Sequence, residues 1–205
     1  MNKPSTDHYF SSSPQSAERF GVVRTRLCGR NFEFLTSSSV FSKRRIDLGT
    51  RLLIESMVLP SEGCVLDIGC GYGAVGIVAA SLNAKLHVVM TDVNIRAVRL
   101  ARKNAESNRA WNAEVRYGQF YEPVKDSVFK CILSNPPVSA GMDTVKTIIT
   151  GAPKVLADGG TFQMVIRSKI GSKSLPATFE ETFGNVKIIA RGSGFRVLSG
   201  QKFKA

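Results

Sequence analysis

The sequence predicts an α/β fold: a doubly wound, mostly parallel sheet of seven strands, with an antiparallel hairpin at its C-terminal end and a small N-terminal β-hairpin extension. Three observations predict it. From Gly63 onward, short apolar runs of strand length alternate with longer helix-period segments, as in a sheet covered on both faces. A glycine cluster, "GCGYGAVG", lies between the first of these runs and its helix, where doubly wound sheets place a ligand-binding turn. The last stretch, "NVKIIARGSGFRVLSG", breaks the alternation: two strands flank Gly192-Ser193-Gly194 with no helix between them, which reads as a hairpin on the sheet edge.

The elements follow in order. Residues 1–18 are polar and rich in Ser and Pro, and are expected to be flexible; a single domain is expected over 19–205, with 19–40 as the hairpin extension. Within that extension, "RFGVVRTRLCGRNFEFLT" alternates in two halves around Cys28-Gly29-Arg30-Asn31. "IDLGTRLLIESMV" reads as a helix capped by Asp47, with Leu52, Leu53, Ser56 and Met57 on one face. Strand "CVLDI" then leads to a helix from Ala74, and strand "LHVVMTD" to the helix "NIRAVRLARKNAESN". Strands "AEVRY" and "FKCIL", a helix from about Asp143 and strand "TFQMVI" complete the series before the closing hairpin. There is no internal repeat and no low-complexity tract.

Composition narrows the function classes. A chain of 205 residues buries enough surface to be stable without disulfides or metal. The cysteines, Cys28, Cys64, Cys70 and Cys131, form no C-x-x-C pair, and His8 and His87 lie far apart, so no metal site is expected. Free cysteines in apolar runs suit a reducing compartment, and with no signal-like or membrane-spanning segment the expected location is cytoplasmic, away from membranes. The expected state is a monomer or homodimer. Lys and Arg total 28 against 16 acids, a net charge of +12 that points to a polyanion, and RNA is the expected partner. The cations recur through the chain, as "KRR" (Lys43, Arg44, Arg45), "RLARK", "RSK" and Lys173, so a folded surface is expected to carry them.

The glycine turn contains G-x-G-x-x-G from Gly71 to Gly76, which raises a dinucleotide. Asp67 at the strand end and the absence of Lys or Arg from the turn oppose a pyrophosphate; a carboxylate there would attract an ammonium or sulfonium instead. Without G-K-[ST] the turn is no P-loop. Asp92 ends the second strand, where a carboxylate can accept from both hydroxyls of a ribose; before "NIRAV" it could equally cap a helix. Two acids at neighbouring strand ends around a glycine turn favour a ligand.

"SNPPVSAG" follows the strand "FKCIL". Asn135-Pro136-Pro137 either closes that strand with a turn or presents two fixed acceptors, the Asn135 side-chain oxygen and the Pro136 carbonyl, to an N–H donor.

"VLDIGCGYG", "TDVN" and "SNPP", in this order and at these spacings, resemble the class I S-adenosylmethionine-dependent methyltransferases with their Rossmann-like sheet. "FEFLTSSSVFSKRRIDLGTRLLIES", "NPPVSAG" and "EETFGNVKIIARGSGFRVLSGQK" are similar to the "small" methyltransferase domain of the small-subunit rRNA guanine-N2 methyltransferases and their short single-domain relatives. The resemblance covers nearly everything from Phe20 onward. It implies S-adenosylmethionine as cofactor, with Asp67, Gly69, Gly71 and Gly73 toward its methionine part, Asp92 on the ribose and Val93 against the adenine. It places Thr50 at the cofactor carboxylate, and Gln119, where relatives often have an acid, at the adenine amine with Phe120 beside it.

The implied chemistry is methyl transfer to an exocyclic base amine, with Asn135, Pro136 and Pro137 as catalytic residues and no strong base. Where many Asn-Pro-Pro enzymes carry a stacking aromatic, this chain has Val138, so stacking falls to Phe41, Phe120 or Tyr121, while Lys43, Arg44 and Arg45 could hold RNA phosphates. Guanine N2 of ribosomal RNA is the expected target. Adenine N6, a protein glutamine, or a catalytically silent RNA-binding module are the alternatives.

Overall fold

The strands form as expected, and their order puts the glycine turn at the centre of the sheet. The computed structural model describes residues 19–37, 45–136, 141–171 and 173–204, so the expectations for residues 1–18, Phe41, Lys43, Arg44, Pro137 and Val138 lie outside the described residues. A two-stranded hairpin, β1 (Phe20–Leu27) and β2 (Arg30–Ser37), precedes the helix α1 (Leu48–Ser56). Then come β3 (Gly63–Ile68), α2 (Ala74–Leu82), β4 (Leu86–Asp92), α3 (Ile95–Ser107), β5 (Ala113–Tyr117) and β6 (Phe129–Ser134). The chain ends with α4 (Met142–Gly151), β7 (Leu156–Arg167), α5 (Ser174–Phe183), β8 (Lys187–Gly192) and β9 (Phe195–Gln201).

The seven-stranded sheet has the order β5-β4-β3-β6-β7-β9-β8, parallel except where β9 runs antiparallel to β7 and β8. Strand order reverses at β3, which has β4 on one side and β6 on the other, and a crevice opens at their C-terminal ends. Alternation along each strand feeds two cores. Val65, Met90, Leu133 and Val165 face the cluster under α1, α2 and α3, while Leu66, Val89, Ile132 and Met164 face the one under α4 and α5. Helix α2, "AVGIVAASL", is buried from Ala74 to Ala80, as a helix apolar on all sides must be.

Two expectations need correction. The fully buried stripe of α1 is Gly49, Thr50, Leu53 and Ile54; of the expected face only Leu53 belongs to it, while Leu52 and Met57 pack against the same core half-buried, because the helix lays its N-terminal end against Phe195 of β9 and finishes before Met57. Helix α5 has no counterpart in the sequence reading. It begins after Lys173 without a side-chain cap and carries Pro176 in its first turn, where the ring is tolerated, yet Leu175, Thr178, Phe179 and Phe183 give it a buried face.

The hairpin extension is fixed by two asparagines of the third helix region. Asn104 accepts from the Leu35 N–H (2.7 Å) and donates to the Leu35 carbonyl (2.9 Å), and Asn108 makes the same pair of bonds with Glu33 (3.1 and 2.8 Å). These two amides, one helical turn apart, act as a substitute strand for the open edge of β2. Asn104 also donates to the Tyr72 carbonyl (2.8 Å), tying the hairpin to the glycine turn. Because Asn104 is buried, Asn104→Ala strands three backbone groups, and we expect a loss of roughly 3 kcal/mol, read by thermal unfolding as a fall of about 6–12 °C. An unchanged melting temperature would show that water replaces the side chain.

Among the described residues no helix is long and apolar enough to cross a membrane.

Candidate functional site

A cavity of about 770 Å³ occupies the crevice above β3, β4, β6 and β7, within the usual range for a small-molecule ligand. Its floor is the glycine turn. Gly69, Gly71 and Gly73 have φ of +73°, +58° and +92°, the left-handed region that glycine enters without cost. Gly69 and Cys70 donate to the Thr91 carbonyl (both 2.9 Å), so the turn is tacked to the end of β4. A side chain at Gly69 would point into open space, whereas one at Gly73 would strike Ile77 and Ala101.

Gly73 therefore departs from its expected place among the cofactor contacts: it is absent from the cavity wall and serves the packing of α2 against α3. Asp67, Gly69, Gly71, Asp92, Val93, Gln119, Phe120, Thr50, Asn135, Pro136 and Arg45, expected from separate stretches, do line one cavity. Phe120 has a left-handed backbone (φ 49°), uncommon for a bulky residue. Tyr121, offered as a stacking residue, is instead core: its hydroxyl donates to the Ile148 carbonyl (2.5 Å) and its ring lies against Gly151.

The two acids hold the turn from below. Asp67 Oδ2 accepts from the Gly76 N–H (2.8 Å), and Gly76 must be glycine because a Cβ would fall 2.5 Å from Met90. Asp92 Oδ2 accepts from Gly71 N–H and its Oδ1 from Asn94 N–H, both at 2.8 Å. Helix α3 is capped by Asn94, whose side chain accepts from the N–H groups of Arg96 and Ala97, so the capping alternative for Asp92 is not the one the chain uses. Burial, opposed by the Gly76 N–H and reinforced by the nearby Asp92 charge, pushes Asp67 up to about 7. Burial also raises Asp92, against the pull of the Asn94, Gly71 and Val93 N–H groups.

That shift has a defined sign. The folded chain keeps the Asp67 proton up to about pH 7, while the unfolded chain releases it near 3.8, so the folded state binds more protons between these values. Stability of the ligand-free protein should then fall as pH rises from about 4 to about 7, by about 4 kcal/mol from this group. Thermal unfolding across that range checks it: Asp67→Asn should flatten the decline, and an equal decline in the variant would assign it to other groups.

The residues fit S-adenosylmethionine. Two carboxylates, Asp67 buried and Asp92 half-buried, bonded by backbone amides rather than cations among the described residues, suit a ligand that brings positive charge and ribose hydroxyls. Thr91 Oγ1, buried in the cavity wall, has no hydrogen-bond partner among the described residues and so has capacity for one. The left-handed, sterically open Gly69 lets a ligand approach the backbone.

Asn135, at the end of β6, is held across the crevice by the first turn of α1. Its Nδ2 donates to Thr50 Oγ1 (2.8 Å) and reaches Asp47 Oδ2 at 3.5 Å, and Thr50 Oγ1 itself donates to that Asp47 oxygen. Thr50 lines the cavity, with its single proton committed to Asp47. Asp47 caps α1 as expected, with its Oδ1 accepting from Gly49 and Thr50. Its second oxygen, orienting Asn135, was not foreseen.

Arg167 and Phe195 were not foreseen as site residues either. Both line the cavity, with the guanidinium 5.1 Å from the ring centroid, and Phe195 closes against Gly49. The basic "RSK" motif pointed to Arg167 without placing it.

Residues 31–199 match the methyltransferase small domain family. The uncharacterized protein YbxB of Bacillus subtilis (strain 168) is 35% identical over 199 residues, covering 96% of this chain and 99% of its own length. The ribosomal RNA small subunit methyltransferase C of Erwinia tasmaniensis is 30% identical over 174 residues, which cover 83% of this chain and 49% of that protein. Among solved structures, the T. thermophilus 16S rRNA N2 methyltransferase RsmC, in complex with AdoMet and guanosine, superposes with a TM-score of 0.81 at 24% identity over 93% of this chain and 52% of its own. The chain spans about half the length of these rRNA methyltransferases. With the glycine turn, the two strand-end acids and the Asn-Pro motif in one crevice, and with the family match running through most of its length, this chain belongs to the methyltransferase small domain family.

Proposed function

We propose that this chain transfers a methyl group from S-adenosylmethionine to the exocyclic N2 amine of a guanine in small-subunit ribosomal RNA. The observation that carries this reading is the fixed amide of Asn135. Thr50 Oγ1, its proton spent on Asp47, and the Asp47 carboxylate can only accept, so the Asn135 NH₂ must face them. The carbonyl oxygen Oδ1 is then the end left to face the cavity, beside Pro136. An acceptor held this way suits an amine, which brings N–H donors.

S-adenosylmethionine, when bound, supplies a methyl group made electrophilic by its sulfonium. Asn135 Oδ1 and the Pro136 carbonyl accept the two N–H bonds of the amine and aim its lone pair, which conjugation with the purine otherwise withdraws. As nitrogen gains positive charge these bonds strengthen, so they stabilise the transition state more than the bound substrate. Orientation of this kind is worth about 7–11 kcal/mol in well-aligned systems. After the nitrogen–carbon bond forms, one N–H proton leaves to water. The two strand-end acids are engaged with Gly76, Gly71 and Asn94, and the reading requires no base from them.

The choice of guanine in rRNA is supported by the net charge of +12 and by the likeness to rRNA methyltransferases. The test is incubation with methyl-labelled S-adenosylmethionine and, separately, purified ribosomal RNA, small subunits, transfer RNA and release factor, followed by nucleoside and amino-acid analysis. Label in N2-methylguanosine of ribosomal RNA is expected. Label in N6-methyladenosine or in protein would overturn the substrate while keeping the cofactor site.

A further inference from the structure

The cations of this chain are not evenly placed. Between Gly159 and Phe179, and again from Thr182 to the C-terminus, there is no Asp or Glu, while Arg167, Lys169, Lys173, Lys187, Arg191 and Arg196 fall in these stretches. The fold brings several of them to one place. β7 ends at Arg167, β8 ends beside Arg191 and β9 starts just before Arg196, so all three termini meet at the sheet end where the cavity opens. The Ser168 N–H donates to the Gly194 carbonyl (2.9 Å), which fastens the turn after β7 to the β8–β9 turn.

Two local arrangements are hard to explain by stability. Arg191 and Arg196 are direct cross-strand partners, and like charges in that position are destabilising. Arg196 is buried and donates to the Gly171 carbonyl (3.4 Å), with burial and then the Arg191 charge lowering its pKa, while Arg191 stays exposed. On the other face of the same strand ends, exposed Arg167 lies over Phe195 at the cavity wall, an arrangement that holds the guanidinium in place while leaving its charge uncompensated by any acid of this segment. Exposed Lys169 stands on the turn that follows β7.

We propose that this rim is the RNA-binding surface that leads to the methylation site, with Arg167, Lys169 and Arg191 contacting phosphates of the strand that carries the target base. The inference rests on the reading of the chain as an RNA methyltransferase and adds where the RNA lies: over the β7 end and the β8–β9 turn, not over the basic outer face of α3. It also accounts for a hairpin tip that carries no large side chain. Gly192, Ser193 and Gly194 let a sugar–phosphate backbone pass close to the strand ends.

The experiment compares the wild type with two triple variants, Arg167→Ala/Lys169→Ala/Arg191→Ala on the rim and Lys85→Ala/Arg99→Ala/Lys103→Ala on the α2–α3 side. Binding to purified small-subunit rRNA is measured across a salt series, with S-adenosylhomocysteine affinity and melting temperature as controls. If three phosphate contacts are lost, the rim variant should bind at least tenfold more weakly at moderate salt, and its log–log salt slope should shrink by about 2. KM for rRNA should rise with it, while cofactor affinity and the α2–α3 variant stay near wild type. Equal losses in both variants, or none in the rim variant of a wild type that methylates rRNA, would overturn the rim and leave the function standing. A wild type that labels no RNA would overturn the function itself, and the rim with it.

Discussion

Asn135→Ala should lower kcat about 100- to 1,000-fold while leaving S-adenosylhomocysteine affinity within twofold of wild type. The magnitude is that of removing one preorganised hydrogen-bonding group that acts on developing charge, and the split follows from where the side chain points. Its amine end is turned toward Asp47 and Thr50, and its oxygen is the part left for the substrate. Thr50→Val sharpens the test, because it removes the hydroxyl that accepts from Asn135 without touching Asn135 itself. With only Asp47 at 3.5 Å left to hold the amide, the side chain can flip and present NH₂ to the amine, so Thr50→Val should reduce kcat by roughly tenfold and Thr50→Ser should restore it. Steady-state kinetics with saturating cofactor, alongside calorimetric binding of S-adenosylhomocysteine, gives both numbers. Equal loss of turnover and cofactor affinity in Asn135→Ala would place the residue in the cofactor site and remove its role as amine acceptor.

What could be read without coordinates was whatever is encoded locally. The period of the apolar runs announced the strands, glycines clustered where a ligand turn had to be, and Asn135-Pro136 marked the end of β6. Asp47 could be named as a helix cap because capping involves residues two and three positions away. Its second oxygen reaches a residue 88 positions along the chain, and nothing in "IDLGT" announces that. The same distance hid the contact of Phe195 with Gly49 and the pairing of Asn104 and Asn108 with β2. Gly73 shows the reverse failure: it belongs to a motif whose glycines look equivalent, yet the packing against Ala101 that demands it involves a helix not adjacent in sequence. Helix α5 escaped notice because its start lacks a side-chain cap and its first turn holds a proline.

Asp92 is the harder residue to test, since its carboxylate has two employments. It accepts from Gly71 and Asn94, and so shapes the turn, and its remaining lone pairs face the cavity where a ribose would bring two donors. Asp92→Ala should weaken S-adenosylhomocysteine binding about 10- to 100-fold, the scale of losing hydrogen bonds to a charged acceptor. That loss alone would not separate a disturbed turn from a missing ribose contact. Asp92→Asn keeps one oxygen for Gly71 but gives up the charge and an acceptor, and a ligand lacking the 2′-hydroxyl completes a cycle. If Asp92 grips the ribose, removing the 2′-hydroxyl of S-adenosylhomocysteine should cost the wild type about tenfold and cost Asp92→Asn much less. If the two changes instead add independently, the carboxylate acts only through the backbone of the glycine turn, and the ribose is held by other groups in the cavity. Raised by burial, Asp92 also binds a proton more readily than an ordinary aspartate. A ribose grip made through its charge should therefore weaken as pH falls in the wild type and weaken less in Asp92→Asn, where Asp67, another acid of the cavity, is left to titrate.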